Sequence, residues 1–354
     1  MPEQSAAGDA RELLHGAARQ LRTADPVDEL GDVLDESLSR PSGDAAYLAQ
    51  STLEPHFDET AAGSLAFDLL PGGPWASPGD RLSAATAATR RLTSRSFGPQ
   101  ALRWLDGRLE GTAIGGRSAS WGASIGSGFG RHGVLESTVH VEWGPQALEC
   151  LRAPLHRAVQ IALQALPGVR PAFTTLRTTP RGGSQYVTFA VPRALPLEQL
   201  RPLMEHLGLG HQHAGVVSAA ALLLGARYTL PPHAAMITVR VGRDGVELRL
   251  DVDLDAIPDP PPHIAHLLRL HMAERPGSAR AFRRWVAALT PEGYDGPGRL
   301  SVLSVAVRPE MPARLALHLR PAIIERPRPH RDDAWTMPRD DVPASAWLPA
   351  GAAA

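Results

Sequence analysis

Residues 235–253 read AMITVRVGRDGVELRLDVD. Ile237, Val239 and Val241 alternate with Thr238 and Arg240 up to the turn Gly242-Arg-Asp-Gly245. Beyond it, Val246, Leu248, Leu250 and Val252 alternate with Glu247, Arg249, Asp251 and Asp253. Period-two alternation on both sides of a glycine-bounded turn predicts a β-hairpin with one apolar and one charged face. Three other stretches share the pattern. SASWGASIGSGF and VLESTVHVEW flank Gly130–Gly133, PAFTTLRTT and SQYVTFAV flank Pro180–Gly183, and RLSVLSVAV and ARLALHLRP flank Arg308–Pro312. The four turns start 50, 62 and 66 residues apart.

Helical patterns fill the intervals: Pro145–Leu166, then Pro196–Leu207 with Val216–Ala226, then Pro262–Ala273 with Ala279–Leu289. GSLAFDLL, from Gly63, reads as one more half-buried strand, followed by helical pieces that Gly98-Pro99 interrupts. A strand–strand–helix–helix repeat does not make parallel βαβ units. It predicts an α+β fold, an antiparallel sheet with its helices on one face. Such a sheet either stays open with a solvated polar face or closes into a barrel with helices outside and a polar lumen inside. Residues 1–62 carry one helix, Asp9–Arg22, and an otherwise poorly patterned stretch; 63–325 form the single barrel-like domain; 326–354 are a Pro- and charge-rich tail expected to be disordered, with Trp335 and Trp347 available for a short packed element.

Composition narrows the chemistry. The 354 residues contain 36 basic and 37 acidic side chains, a net charge of −1, which argues against a nucleic-acid partner. One cysteine, Cys150, excludes an intramolecular disulfide and a Cys-rich zinc site. The longest nearly apolar run, Val216–Ala226, is 11 residues, too short to span a membrane, and the N-terminus shows no secretory pattern; a cytoplasmic protein is expected. The basic residues other than histidine are all arginine, so Schiff-base chemistry and a phosphate-binding lysine are excluded. Any anion held here is held by Arg, His or backbone N–H groups. Gly126-Ser-Gly-Phe-Gly130 leads into a hairpin rather than a helix and reads as strand glycines that permit close approach, not as a phosphate loop. The histidines of HLGLGHQH and of 263–271 read as surface or capping groups, and no serine sits in a GxSxG elbow.

Sorting the strands by face places Arg177, Tyr186, Arg240, Glu247, Arg249, Asp251, Asp253, Arg314, His318 and Arg320 together with Glu136, His140 and Glu142 opposite the apolar side chains. The repeat, and phrases such as WGASIGSGFGRHGVLESTVHVEW, MITVRVGRDGVELRLDVDL and RLSVLSVAVRPEMPARLALHLRP, resemble the ABBA-type prenyltransferases, the aromatic, indole and cyanobactin-peptide enzymes, over about residues 63–325. The resemblance implies a ten-stranded antiparallel barrel that binds an isoprenyl diphosphate above an aromatic, indole or peptide acceptor. Carried onto this chain, it implies diphosphate binding by Arg177, Arg240, Arg249, His318 and Arg320, and shielding of the allylic cation by Tyr186 and His140. Asp68, Glu136 and Glu142 are the candidates for handling the acceptor's proton, and Asp251 with Asp253 for an Mg2+ ion bridging the diphosphate. A bacterial, cytoplasmic monomer acting on small-molecule or peptide acceptors is expected. The chain departs from the family's pattern with four tyrosines and no lysine. The alternative is a catalytically silent barrel that binds a peptide or small molecule; there Glu247 or Asp251 would neutralise the arginines.

Overall fold

The computed structural model describes residues 5–112, 120–144, 146–242, 245–258 and 264–326. In chain order the elements are α1 (Ala6–Leu21), α2 (Val27–Ser37), α3 (Ala45–Ala49), β1 (Leu53–Asp58), β2 (Leu65–Leu69), α4 (Pro78–Leu109), β3 (Ala123–Gly130), β4 (Gly133–Glu142), α5 (Ala153–Ala165), β5 (Arg170–Thr179) and β6 (Gly182–Val191). There follow β7 (Leu195–Pro196), α6 (Leu200–His206), α7 (His213–Leu223), β8 (Thr229–Leu230), β9 (Ala235–Gly242), β10 (Gly245–Asp253), α8 (Ile264–His271), α9 (Pro276–Ala288), β11 (Gly298–Arg308), β12 (Met311–Pro321) and α10 (Ala322–Glu325).

Ten strands close into an antiparallel barrel in the order β1-β12-β11-β10-β9-β6-β5-β4-β3-β2, while β7 and β8 pair outside it. The open-sheet alternative is thereby excluded. The four hairpins fall where the alternation puts them, with Gly130 opposite Gly133 and Gly242 opposite Gly245. Their apolar faces point outward: Phe67, Phe129, Ile237, Val239, Leu248, Leu250, Leu303 and Leu317 are buried beneath the surrounding helices. At roughly 1.5–3 kcal/mol for each fully buried side chain, this layer is the main term holding helices to barrel. Inside α4, Gly98 adopts φ 79° and sets a kink just before Pro99, the interruption expected there.

The barrel starts earlier than expected. β1 lies within the stretch read as poorly patterned, so the boundary expected at Gly63 moves to Leu53. Leu53 and Phe57 point outward and are buried, and Glu54, His56 and Asp58 take the opposite face. Pro55, a strand breaker in most contexts, falls outside the His56–Asp58 register with β12, where its missing N–H breaks no ladder pair. The residues before β1 also fold: α1 buries Leu13, Leu14 and Ala17 and packs against α2 and α9. The helix expected over 145–166 is shorter, because Pro154 in its first turn marks the start and residues 146–150 form turns. Trp335, Trp347 and the tail they belong to lie outside the described residues, as do Arg243 and Asp244 of the turn and His263. Among the described residues no helix is long and apolar enough to cross a membrane.

Candidate active site

In an antiparallel ladder, residues directly opposite one another share a face. Arg177 stands opposite Thr138 and Ser184, Tyr186 opposite Arg240, Arg240 opposite Glu247, and Arg249 opposite Thr238. These residues line the lumen in the half nearer the hairpin turns. The other half holds Asp68, His56, His140 and His318, from β2, β1, β4 and β12. The walls are polar and solvent enters: Arg177 and Arg249 each keep 34% of their side chains exposed.

The arginine half is dense with charge. Arg177 pairs with Glu136 and donates from Nη1 to the Tyr186 hydroxyl at 3.1 Å. The Arg240 guanidinium lies 5.4 Å from the centroid of the Tyr186 ring, so this tyrosine sits between two cations. Arg240 also bonds Glu247 at 2.8 Å, which in turn accepts from Arg308 Nε at 2.5 Å. Arg249 pairs with Asp251 at 2.8 Å, and Asp251 accepts further from Thr238 at 3.2 Å and Ser304 at 2.5 Å. The pairing of Arg240 with Glu247 and of Arg249 with Asp251 is the neutralisation that the alternative requires. It is incomplete at atom level. Arg177 Nε, Arg240 Nε and Arg314 Nη1 are buried with no hydrogen-bond partner. Buried donors without acceptors are rare in folded proteins, and an anion would satisfy them.

The second half centres on Asp68. His140 Nε2 stands 3.4 Å from Oδ1, while His318 Nδ1 and His56 Nδ1 stand 3.4 and 3.7 Å from Oδ2. His140 is steadied by Thr175, whose hydroxyl lies 2.8 Å from Nδ1, and it meets the Phe173 ring edge-on at 5.7 Å. A Cβ on Gly126 would come within 2.5 Å of Asp68 Oδ1, so this glycine provides the close approach that the strand-glycine reading expects. Burial works against the Asp68 charge, but the contact from His140 and the fields of His56 and His318 outweigh it and hold the carboxyl well below its usual range. Burial lowers the pKa of His56 and of His318, against the pull of Asp68.

These directions predict a stability profile. As pH falls through ~6.5, unfolded His56 and His318 take up protons before their folded counterparts; below ~4, unfolded Asp68 does so before folded Asp68. The unfolded state binds more protons in both windows, so stability drops with pH. Glu54, raised by burial and by Asp68, opposes this near its own titration. In the presence of a chelator, the urea midpoint should fall between pH 7 and 5, and His56→Gln/His318→Gln should shrink that limb. His271, also lowered by burial, keeps a remainder. A limb unchanged in the double variant would refute the assignment.

Several expected site residues lie elsewhere or do other work. His318 belongs to the Asp68 group rather than to the arginines. Arg320 sits at the far rim, 3.2 Å from Asp255 and bonded to the Leu48 carbonyl at 3.2 Å, away from the diphosphate candidates. The Glu142 carboxylate accepts from the backbone N–H groups of Ser120, Trp121 and Gly122 at 2.9 Å and anchors that turn; these bonds offset burial and lower its pKa, and it is not free for acceptor chemistry. Asp251 and Asp253 do not form a metal pair. Asp251 is neutralised by Arg249, and Asp253 accepts from the N–H of Asp255 as the cap of the next turn. His140 serves Asp68, so of the two expected shielding residues only Tyr186 stands among the arginines. His206 and His211 contact backbone carbonyls, and His213 is buried at the start of α7 rather than exposed. Sequence reasoning missed His56, hidden in the unread strand β1, and Phe173, whose place beside His140 follows from the β4–β5 register.

No family model matches the sequence, and no curated protein matches it. Solved structures do. The prenyltransferase PriB in its apo form is 16% identical, with a TM-score of 0.67 over 92% of this chain and 99% of that one. The 5-dimethylallyltryptophan synthase from Streptomyces coelicolor is 16% identical, with a TM-score of 0.65 over 90% of this chain and 97% of that one. The 6-dimethylallyltryptophan synthase from Micromonospora olivasterospora, in complex with DMASPP and Trp, is 17% identical, with a TM-score of 0.69 over 89% and 97%. At such identities the likeness is one of architecture, and it spans the whole barrel with its helices. The chain has the fold of the ABBA-type prenyltransferases, ten antiparallel strands closed around a polar lumen with the helices outside.

Proposed function

We propose that this protein transfers an isoprenyl group from an allylic diphosphate to an aromatic or indole acceptor in the lumen. The observation that carries it is the set of unpartnered guanidinium donors, Arg177 Nε and Arg240 Nε, on either side of Tyr186. Cleavage of the allylic C–O bond leaves its electron pair, and so a full charge, on the diphosphate. Donors already oriented around that charge lower the barrier most. Tyr186 would present its ring to the carbocation. Asp68, ionised and reached from the same interior, would accept a hydrogen bond from the acceptor and take the proton lost on substitution. The solved complex with DMASPP and Trp has this fold, which supports the pairing of substrates. Mg2+ at Asp251 and Asp253 is not part of the proposal, since Asp251 is already paired. A cytoplasmic monomer completes the proposal; the barrel closes with the ten strands of a single chain.

A second reading rests on Glu136, Glu247 and Asp251: a lumen that neutralises its own arginines would bind a neutral small molecule or peptide without ionising anything. Thermal shift with dimethylallyl diphosphate separates the two. At a hundredfold excess over Kd the ligand adds about 2.7 kcal/mol to folding. Arg240→Gln leaves Glu247 with Arg308, so the fold should persist while diphosphate binding weakens by about 1.5–3 kcal/mol. No stabilisation by dimethylallyl, geranyl or farnesyl diphosphate would favour the silent barrel.

A further inference from the structure

The spacing around Asp68 is wrong for hydrogen bonds and right for something else. His318 Nδ1 and His56 Nδ1 lie 3.4 and 3.7 Å from the same oxygen, Oδ2. Both exceed the ~2.7–3.2 Å of an N–H···O hydrogen bond. His56 Nδ1 is buried with no hydrogen-bond partner at all. The two imidazoles lean together, ring centroids 5.0 Å apart, and one donor atom from each of His56, Asp68 and His318 falls within 4.8 Å of the other two. Ligands held ~2.0–2.1 Å from a tetrahedral zinc ion stand ~3.3–3.4 Å from one another, close to the two histidine–Asp68 separations here.

We propose that His56, Asp68 and His318 form a binding site for one first-row divalent ion of the Zn2+ type, with three protein ligands and an open position toward the lumen. Two imidazole nitrogens and one carboxylate suit such an ion and disfavour Mg2+, which takes oxygen ligands. His140 contacts the other carboxylate oxygen and is itself fixed by Thr175, the arrangement that orients a metal-bound carboxylate. Glu54, 4.0 Å from His318 Nδ1, lies beside the site and is itself 3.8 Å from Arg320; Arg249, whose charge reaches His318, is balanced by Asp251. The open position takes water or an O–H or S–H group of a bound molecule, which a zinc-type ion acidifies. The site stands on donor geometry and does not rest on prenyl transfer; with an ion bound, the Asp68 carboxylate is a ligand and no longer the acceptor's base, so the two roles are alternatives for that group.

The test titrates the full chain, stripped of metal, with Zn2+ against a chromophoric chelator. One tight equivalent is expected, unaffected by millimolar Mg2+, absent from His56→Ala/His318→Ala and weakened about 10–100-fold in His140→Ala. Equivalents that persist in the double variant belong to other histidines or to Cys150 and would overturn the proposal, as would the lack of any tight equivalent in the parent chain. Anomalous scattering at the zinc edge from crystals of the parent chain decides independently of whether the variants fold. A peak between His56, Asp68 and His318 supports the site; a peak elsewhere, or none, removes it.

Discussion

Arg249→Gln is expected to lower the free energy of unfolding by about 2–3 kcal/mol at neutral pH. Asp251 is only 4% exposed, and the substitution leaves its carboxylate in the barrel wall without its cation. Breaking a fully buried pair from one side costs about 3–5 kcal/mol. Arg249 is a third exposed, and Thr238 and Ser304 still donate to Asp251, which brings the figure down. The double substitution Arg249→Gln/Asp251→Asn removes both charges and should recover most of the loss. Arg240→Gln provides the internal contrast: Glu247 keeps Arg308, so its loss should stay near ~1 kcal/mol. Urea denaturation of the parent and the three variants measures all of this. Equal losses for the two single arginine substitutions would show that the carboxylates are not what distinguishes them. The hairpin's arginines would thus divide their roles, Arg249 holding the wall and Arg240 remaining available to an anion.

Trp285→Ala should destabilise by about 3 kcal/mol, the low end of the ~3–5 kcal/mol range for a large buried aromatic. Trp285 lies on α9, 1% exposed, with its ring centroid 5.9 Å from Phe57 and 6.2 Å from Phe282. Phe57 is one of the outward side chains of β1, the strand that closes the barrel between β12 and β2. The indole Nε1 is buried without a partner, a penalty the truncation relieves, which places the loss low in the range. Trp285→Phe keeps much of the packing, removes that orphan donor and should stay within about 1.5 kcal/mol of the parent. Hydrogen exchange at His56–Asp58 should accelerate in the alanine variant. Unchanged protection there, with a stability loss under ~1 kcal/mol, would mean that α9 does not secure the closing strand.

Much of this architecture was legible locally. Side chains on a strand alternate with a period of two, so the eight strands of the four hairpins could each be sorted into an outward apolar and an inward polar face. Arg177, Tyr186, Arg240 and Arg249 accordingly lie in the lumen as the alternation requires. β1 escaped because three ionisable residues and Pro55 occupy four of its six positions. Glu142 was misassigned because alternation gives a residue's face and not its partners: at the strand's end it meets the N–H groups of Ser120–Gly122 before it meets the lumen.

By itself, the sequence determined the hairpins, the helices between them, and which side chains face water or anion rather than helix. It also narrowed the carboxylates beside the hairpin's arginines to Glu247 and Asp251; the register of β9 with β10 decided that Glu247 faces Arg240. The meeting of His56, Asp68, His140 and His318 was decided only by closure. Their strands span most of the chain, and they converge because β1 is inserted between β2 and the last strand, β12. Local periodicity orients a side chain about its own strand; which distant strand lies alongside depends on the burial gained by the closed barrel as a whole, and no window of sequence contains that quantity.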